Sequence, residues 1–201
     1  MQHPFIKQPV FFVMAISLVL LVGFQLSPSL QQQLGERLVL YRAIGVNCQP
    51  WDDEDDVLRN PEIGVIFNNE TEKHVQVSCP ITGIFSLGDF DAIRVIAAQL
   101  VYWNQSIDDE LVECQVIQTG FNSPPTLTGW AFGGPQPGPE SIGILAWNSE
   151  EGLFGTTRLD QGPVSWHFYC ILPDKFTRLS ARTSSGIWSY VVWVRYLNLE
   201  N

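Results

Sequence analysis

The sequence predicts an all-β protein, an antiparallel β-sandwich with two disulfides, preceded by one hydrophobic N-terminal helix. Three observations lead to this prediction. Apolar and polar residues alternate with a period of two after Cys48, an uncharged apolar stretch lies near the start of the chain, and four cysteines follow that stretch. Turn-rich stretches separate the alternating segments without an amphipathic helix pattern between them, which favours two packed antiparallel sheets.

Segment 92–103 is apolar on both faces, so we expect a central strand there, with a helix as the alternative. The polar residues 69–72 separate two other strands and are typical of a hairpin loop. The predicted strands are 64–68, 73–79, 92–103, 111–119, 141–147, 164–172 and 186–197. The Pro- and Gly-rich stretch 122–140 is too long for a simple hairpin loop.

The N-terminal stretch indicates export. Residues 8–35 carry no charge, and 10–24 are almost continuously apolar. As a helix, 10–24 would span about 22 Å, short of the roughly 30 Å hydrocarbon core of a bilayer, and an extension to 26 with local thinning would let it cross. Residues 1–29 are therefore either a cleaved signal peptide or an uncleaved membrane anchor. Either outcome exports the remainder to the periplasm or the extracellular space.

Two further segments follow the leader. In 30–47 the residues Leu30, Leu34, Leu38 and Tyr41 have helical spacing, so we expect a short stalk or linker helix there. Residues 48–201 form the predicted exported β-sandwich domain. The formal net charge of −10, from 21 acidic and 11 basic residues, argues against binding to nucleic acid or to an anionic lipid surface.

The four cysteines are Cys48, Cys79, Cys114 and Cys170. In an exported protein an even number of cysteines indicates disulfides. Cys79, Cys114 and Cys170 lie on the more apolar faces of their strands, whereas a reactive thiol requires an exposed, electropositive place. Of the three possible connectivities, we expect Cys48–Cys79 and Cys114–Cys170.

Several short motifs resemble those of a loose group of uncharacterised secreted bacterial proteins. They are "CQP" (48–50), "GVIFNNETEKHVQVSCPI" (64–81), "VECQV" (112–116), "FYCILP" (168–173) and "IWSYVV" (187–192). Proteins of that group are small, disulfide-bonded and all-β, with an early Cys, a Gly-x-x-x-Asn strand leading to Cys-Pro, and a late Cys-x-Leu-Pro. The resemblance implies secretion and an all-β fold, and it implies no activity.

The densest charge cluster is "WDDEDD" (51–56), and it raises the question of a metal site. Calcium takes six to eight oxygen ligands, so the weak candidates for its ligands are Asp52, Asp53, Asp55 and Asp56. The cluster lacks the spacing and the glycine of a dedicated calcium loop, and a solvated acidic loop is the preferred interpretation. We expect no resident metal and no cofactor.

Hydrolase chemistry finds little support in the sequence. A nucleophilic hydrolase needs a base beside a Ser or Cys, and the exported histidines are His74 and His167. The motif "GPESIG" (138–143) is one residue longer than a nucleophile elbow and lies in an all-β context. We therefore expect no catalytic residues.

Aromatic residues are the remaining candidates for function. Trp130 and Phe132 lie in the Pro/Gly-rich stretch, where core packing is less expected, and Trp188 and Tyr190 lie on one face of the last predicted strand. Aromatic rows bind sugar rings or anchor protein interfaces, and packing in the core of the sandwich is the alternative that we favour for the last strand.

The leading hypothesis is a non-enzymatic exported domain that binds a protein partner, for example as an accessory subunit of an envelope or membrane complex. The alternatives are a carbohydrate-binding module with a calcium site, and a hydrolase.

Overall fold

The computed structural model describes residues 36–70, 73–82, 90–105, 110–120, 123–135, 142–161, 164–174, 177–178, 181–182 and 185–198. The chain divides into two compact units, Met1–Glu36 and Arg37–Asn201, and the fold is that of the second unit. The predicted leader, 1–29, lies outside the described residues. No helix within the described ranges is long and apolar enough to cross a membrane.

The described elements are strands and two single 3-10 turns. The strands are β1 (Glu36–Ile44), β2 (Gln49–Pro50), β3 (Val57–Asn60), β4 (Val65–Asn68), β5 (Val75–Ile81), β6 (Ala92–Asn104), β7 (Val112–Gly120), β8 (Ser123–Leu127), β9 (Ala131–Gly133), β10 (Ile142–Asn148), β11 (Thr157–Arg158), β12 (Val164–Leu172), β13 (Thr177–Arg178), β14 (Ala181–Arg182) and β15 (Ser185–Leu197). The 3-10 turns are Gly45–Asn47 and Leu159–Gln161.

The strands form two antiparallel sheets that share one hydrophobic core, as the sequence predicts. The first sheet has the order β10-β6-β15-β4-β3. In addition, β1 pairs with β15, and β11 pairs with β6. The second has the order β2-β5-β12-β7-β8, and β9 pairs with β7. Strands β13 and β14 form a separate small ribbon. The central strands β15, β6 and β12 are long, and each pairs with neighbouring strands on both sides.

Aromatic side chains fill the space between the two sheets. Phe168 of β12 is fully buried, and its ring lies 5.3 Å from that of Tyr190 on β15 and 5.6 Å from that of Trp147 on β10. A contact between rings at such distances stabilises a core by more than the buried area alone. These contacts fix which face of β12 points inward.

Both predicted disulfides are confirmed, Cys48–Cys79 and Cys114–Cys170, and all four cysteines are buried. Cys114 and Cys170 lie directly opposite each other on β7 and β12. Cys48 precedes β2 and joins it to β5. Each bridge contributes about 2–4 kcal/mol to stability, mainly by restricting the unfolded chain.

The sequence predicts the interior strands well. Segment 164–172 matches β12 residue for residue, and 92–103 forms the central strand β6 between β10 and β15. Long runs of alternating or wholly apolar residues are the clearest signal for a strand, so these predictions depend little on the rest of the chain.

The predicted hairpin between 64–68 and 73–79 is wrong, because the two strands belong to different sheets. β4 pairs with β3 and β15, whereas β5 pairs with β2 and β12. Asn68 ends β4 and is 1% exposed, and its side-chain amide donates to the carbonyl oxygens of Lys73, Leu172 and Pro173. This amide satisfies backbone groups at the corner where the chain changes sheets.

The predicted helix over 30–47 is also wrong for the described residues of that range. Residues 36–44 form β1, and alternate side chains of this strand, Val39, Tyr41 and Ala43, pack against the core. Pairing with β15 supplies the backbone hydrogen bonds that a helix would otherwise make internally. At Gly45 a Cβ would lie 1.8 Å from the carbonyl oxygen of Ile187, so this turn requires glycine.

Candidate functional site

The outer face of the second sheet carries the candidate site. On β12 the alternate residues from Val164 to Leu172 are buried, so His167 and Tyr169 lie on the opposite, outward side. The register places His167 between Pro80 and Ile117 on the neighbouring strands. Further aromatic rings pack on this outer surface of β12, the central strand of the second sheet.

The ring of Trp51 packs on part of this outer surface. Its ring lies 6.0 Å from that of His167 in a stacked arrangement, with the two planes inclined by 29°. It also meets the ring of Tyr169 edge-on, at 5.1 Å and 79°. Trp51 is nevertheless 55% exposed. More than half of Trp51 is therefore accessible to solvent.

Trp130 is the second tryptophan whose ring contacts that of Tyr169. The two rings are 5.9 Å apart and inclined by 65°, and Trp130 is 40% exposed. Tyr169 thus contacts both exposed tryptophans. We call Trp51, His167, Tyr169 and Trp130 the aromatic row.

The position of Trp51 follows from its neighbours along the chain. The Cys48–Cys79 disulfide fixes the start of the segment, and Gln49 and Pro50 pair with β5. The backbone N–H of Trp51 then donates to the carbonyl oxygen of Gln76 over 2.8 Å. Trp51 is consequently the last residue whose backbone bonds to β5 before the acidic turn begins.

The position of Trp130 follows from the Pro/Gly-rich stretch, which is more ordered than the sequence suggests. It contains the edge strands β8 and β9, both of which pair with β7. Between them, Thr128 exchanges hydrogen bonds with the backbone of Val116, and the indole N–H of Trp147 donates to the Gly129 carbonyl over 3.0 Å. These bonds hold the residues before Trp130 against both sheets.

Burial keeps the aromatic row uncharged at neutral pH. Burial lowers the pKa of His167, because the protonated imidazolium would lose hydration. Burial, and after it the charge of Asp55, raises the pKa of Tyr169. The row therefore presents neutral rings, which suit stacking better than ion pairing.

Two of the predicted surface residues, Trp188 and Tyr190, do not lie on one exposed face. Tyr190 is 4% exposed, burial raises its pKa to about 12, and its hydroxyl donates to the Pro80 carbonyl over 2.7 Å. A β-bulge lies between Ile187 and Ser189, so Trp188 has no partner in the register with β6. The extra residue reverses the alternation, which turns the half-buried Trp188 away from the side of Tyr190.

The other two predicted surface residues, Trp130 and Phe132, are exposed. Phe132 is 56% exposed and lies opposite Glu113 on β7, on the same outward face as the aromatic row. Leu127, which is 53% exposed, lies opposite Ile117 on that face. The outer face of the second sheet therefore combines aromatic and aliphatic groups.

Three carboxylates of the acidic run make contacts with other protein groups. Asp55 is buried, and its carboxylate lies 2.7 Å from the Lys73 ammonium. The carboxylate of Asp52 accepts a bond from the Glu54 backbone, and that of Asp56 accepts one from the Asn69 amide. Within the part of the chain that the structure describes, no group of three or more acidic, His or Cys side chains could hold a metal ion. Asp53 therefore belongs to no such group.

The two candidate general bases lie in different surroundings. His74 is half-exposed, and its Nε2 lies 3.4 Å from the carboxylate of Glu110. The Nε2 of His167 is buried and has no hydrogen-bond partner among the described residues.

Sequence reasoning missed Trp51, His167 and Tyr169 as members of one surface. A signal for part of it was present, because His167 and Tyr169 alternate with buried residues of the clearest strand. Trp51 lies far from them in sequence, and only the pairing of β5 with both β2 and β12 brings it near.

Comparison with known proteins found no matching family model and no matching curated protein. Among solved structures, a low-affinity xylan-binding module from Roseburia intestinalis is similar over 77% of this chain and 94% of its own, with 11% identity and a TM-score of 0.39. A structure of infectious bursal disease virus (Gt strain) is similar over 82% of this chain and 33% of its own, with 7% identity and a TM-score of 0.34. Desmodium yellow mottle tymovirus is similar over 83% of this chain and 90% of its own, with 8% identity and a TM-score of 0.32. Likenesses this distant carry no argument about function.

Proposed function

We propose that the protein is a non-enzymatic, exported binding domain and that its aromatic row binds the sugar rings of a glycan. The single observation that carries this proposal is the arrangement of two exposed tryptophans, Trp51 and Trp130, around Tyr169 on one sheet face.

The chemistry of the row fits sugar rings. The apolar C–H face of a pyranose packs on an aromatic ring, and the ring hydroxyls keep their contact with water at its edges. The row is neutral and lies on a sheet rather than in a closed pocket, which suits a chain of sugars that continues past the site. Because neighbouring rings already hold each tryptophan, binding loses little side-chain entropy.

The two disulfides support the exported location. Structural disulfides persist in oxidising compartments and are rare in the cytosol. Within this proposal, residues 1–29 act either as a signal peptide or as an anchor, and the binding face works outside the cytoplasm in both cases.

The test is binding of the oxidised full-length protein to an array of neutral polysaccharides, in a detergent that contains no sugar. We expect at least one neutral glycan to bind, and replacement of Trp51 or Trp130 by Ala to weaken that binding roughly tenfold. Ile144→Ala is the matched control, because Ile144 is 63% exposed on β10 of the first sheet. Absence of any glycan binding, or equal loss in the control, would overturn the proposal.

A second candidate function is docking of a protein partner, for example in an envelope or membrane complex. The observation in its favour is that Leu127, Trp130 and Phe132 are all large, apolar and exposed within one short segment. Leu127→Ala and Phe132→Ala discriminate the two functions. Loss of a co-purifying subunit in these variants, with glycan binding unchanged, would favour docking.

A further inference from the structure

The carboxylate of Asp55 completes the hydrogen bonding of β5 at the point where β2 ends. Beyond Pro50, the N–H of Trp51 donates to the carbonyl of Gln76, and the chain then turns back, with the Asp55 N–H donating to the Asp52 carbonyl over 3.1 Å. The N–H of Gln76 donates to Oδ2 of Asp55 over 3.1 Å. Thus the carbonyl of Gln76 accepts from the backbone of Trp51, and its N–H donates to the side chain of Asp55.

The second oxygen of the same carboxylate is also used. Its Oδ1 lies 2.7 Å from the ammonium of Lys73, and the Asp55 side chain is 4% exposed. The hydrogen bond to Asp55 is the main cause that raises the pKa of Lys73. A buried carboxylate with both oxygens satisfied holds its position firmly, since leaving it without a partner would be costly.

This carboxylate lies beside the aromatic row. The charge of Asp55 contributes to the raised pKa of Tyr169, which is the ring that contacts both exposed tryptophans. The segment from Trp51 to Asp55 is therefore attached to β5 at both of its ends. The backbone of Trp51 holds one end, and the side chain of Asp55 holds the other.

We propose that Asp55 is the positioning residue that keeps the indole of Trp51 stacked on His167 in its ligand-binding orientation. This inference rests on the proposed function of the aromatic row. Without the carboxylate, the acidic turn loses its attachment to Gln76 and Lys73, and Trp51 gains alternative orientations. A ligand must then order that side chain on binding, which lowers affinity without removing any direct contact.

The test is a double-mutant cycle on the affinity of the full-length protein for the best-binding neutral polysaccharide. Asp55→Ala should weaken binding about fivefold, the size expected for ordering one side chain. The same change should have no further effect in a Trp51→Ala background and its full effect in a Trp130→Ala background. An equal effect in both backgrounds, or no effect on affinity, would overturn the proposal.

Two further measurements separate this inference from the others. If Asp55→Ala does not fold, Asp55→Asn keeps an oxygen for the Gln76 N–H while removing the ion pair. This variant should show a smaller loss of glycan affinity with the same coupling to Trp51.

The indole N–H resonances report the positions of the tryptophan side chains without any ligand. That of Trp51 should shift and broaden in Asp55→Ala, whereas that of Trp147, bound to Gly129, should not. An unchanged Trp51 resonance would refute the positioning role, and failure of the unaltered protein to bind any glycan would refute only the proposed function.

Discussion

The indole of Trp51 lies stacked over the imidazole of His167, with ring centroids 6.0 Å apart. This contact joins the acidic segment after β2 to the central strand of the second sheet, and Trp51 remains 55% exposed. It also shields a histidine whose Nε2 has no partner among the described residues. An aromatic ring of the proposed binding surface and a titratable imidazole are therefore in direct contact.

The first prediction concerns the pH dependence of stability. Because burial lowers the folded-state pKa of His167 below its ordinary value of 6.5, the unfolded chain takes up this proton first as the pH falls. Stability from the neutral imidazole is present above about pH 6.5 and is lost as the pH falls through the folded-state pKa. The melting temperature should fall over that window.

Thermal unfolding of His167→Gln between pH 7.5 and pH 4.5 measures this contribution. The part of the decrease that belongs to His167 should disappear in that variant and persist in the matched variant His74→Gln, whose imidazole is half-exposed. Identical pH profiles for the unaltered protein and His167→Gln would contradict the prediction.

The second prediction separates the roles of the two disulfides. Cys114 and Cys170 lie on the core side of β7 and β12, away from the aromatic row. Replacing both by Ala should lower the free energy of unfolding by about 2–5 kcal/mol and leave glycan affinity unchanged below the melting temperature. Chemical denaturation and binding assays check the two halves of this expectation.

Replacing Cys48 and Cys79 by Ala should have a different result. This bridge lies three residues before Trp51 and fixes the start of the segment that carries it. We expect a similar loss of stability and, in addition, a loss of glycan affinity. Equal affinity for the two disulfide variants would show that the bridge does not position Trp51.

The third prediction concerns Tyr190, a candidate for the binding surface in the sequence that the structure places in the core. Its hydroxyl donates to the Pro80 carbonyl between the sheets. Tyr190→Phe should lower the free energy of unfolding by about 1 kcal/mol, the usual net value of such a bond, and should not change ligand affinity. A change in affinity without loss of stability would return Tyr190 to the binding surface.

The interior of the fold is readable from the sequence because its signals are local. Strand β12 alternates along its whole length, and β6 is apolar on both faces, so neither needs information from distant residues. Once the chain is taken as exported, its four cysteines also favour disulfides without information from distant residues. Their pairing, Cys48–Cys79 and Cys114–Cys170, is also predicted correctly, although four cysteines allow three connectivities.

The errors occur where distant strands decide the outcome. β1 has residues at helical spacing, but it is a strand because β15 offers an unpaired edge. The bulge beside Trp188 changes which side chains of β15 share a face, and a regular period of two does not predict this change. The aromatic row depends on β2 and β12 flanking the same strand, β5, which sequence periodicity does not report.

The central claim is that the aromatic row is a glycan-binding surface, and titration of the full-length protein with a neutral polysaccharide tests it most directly. We predict saturable binding that is weakened roughly tenfold by Trp51→Ala and by Trp130→Ala, and is unaffected by Ile144→Ala on the first sheet. Unchanged affinity in both tryptophan variants would contradict the account, because the ligand would then bind elsewhere on the protein.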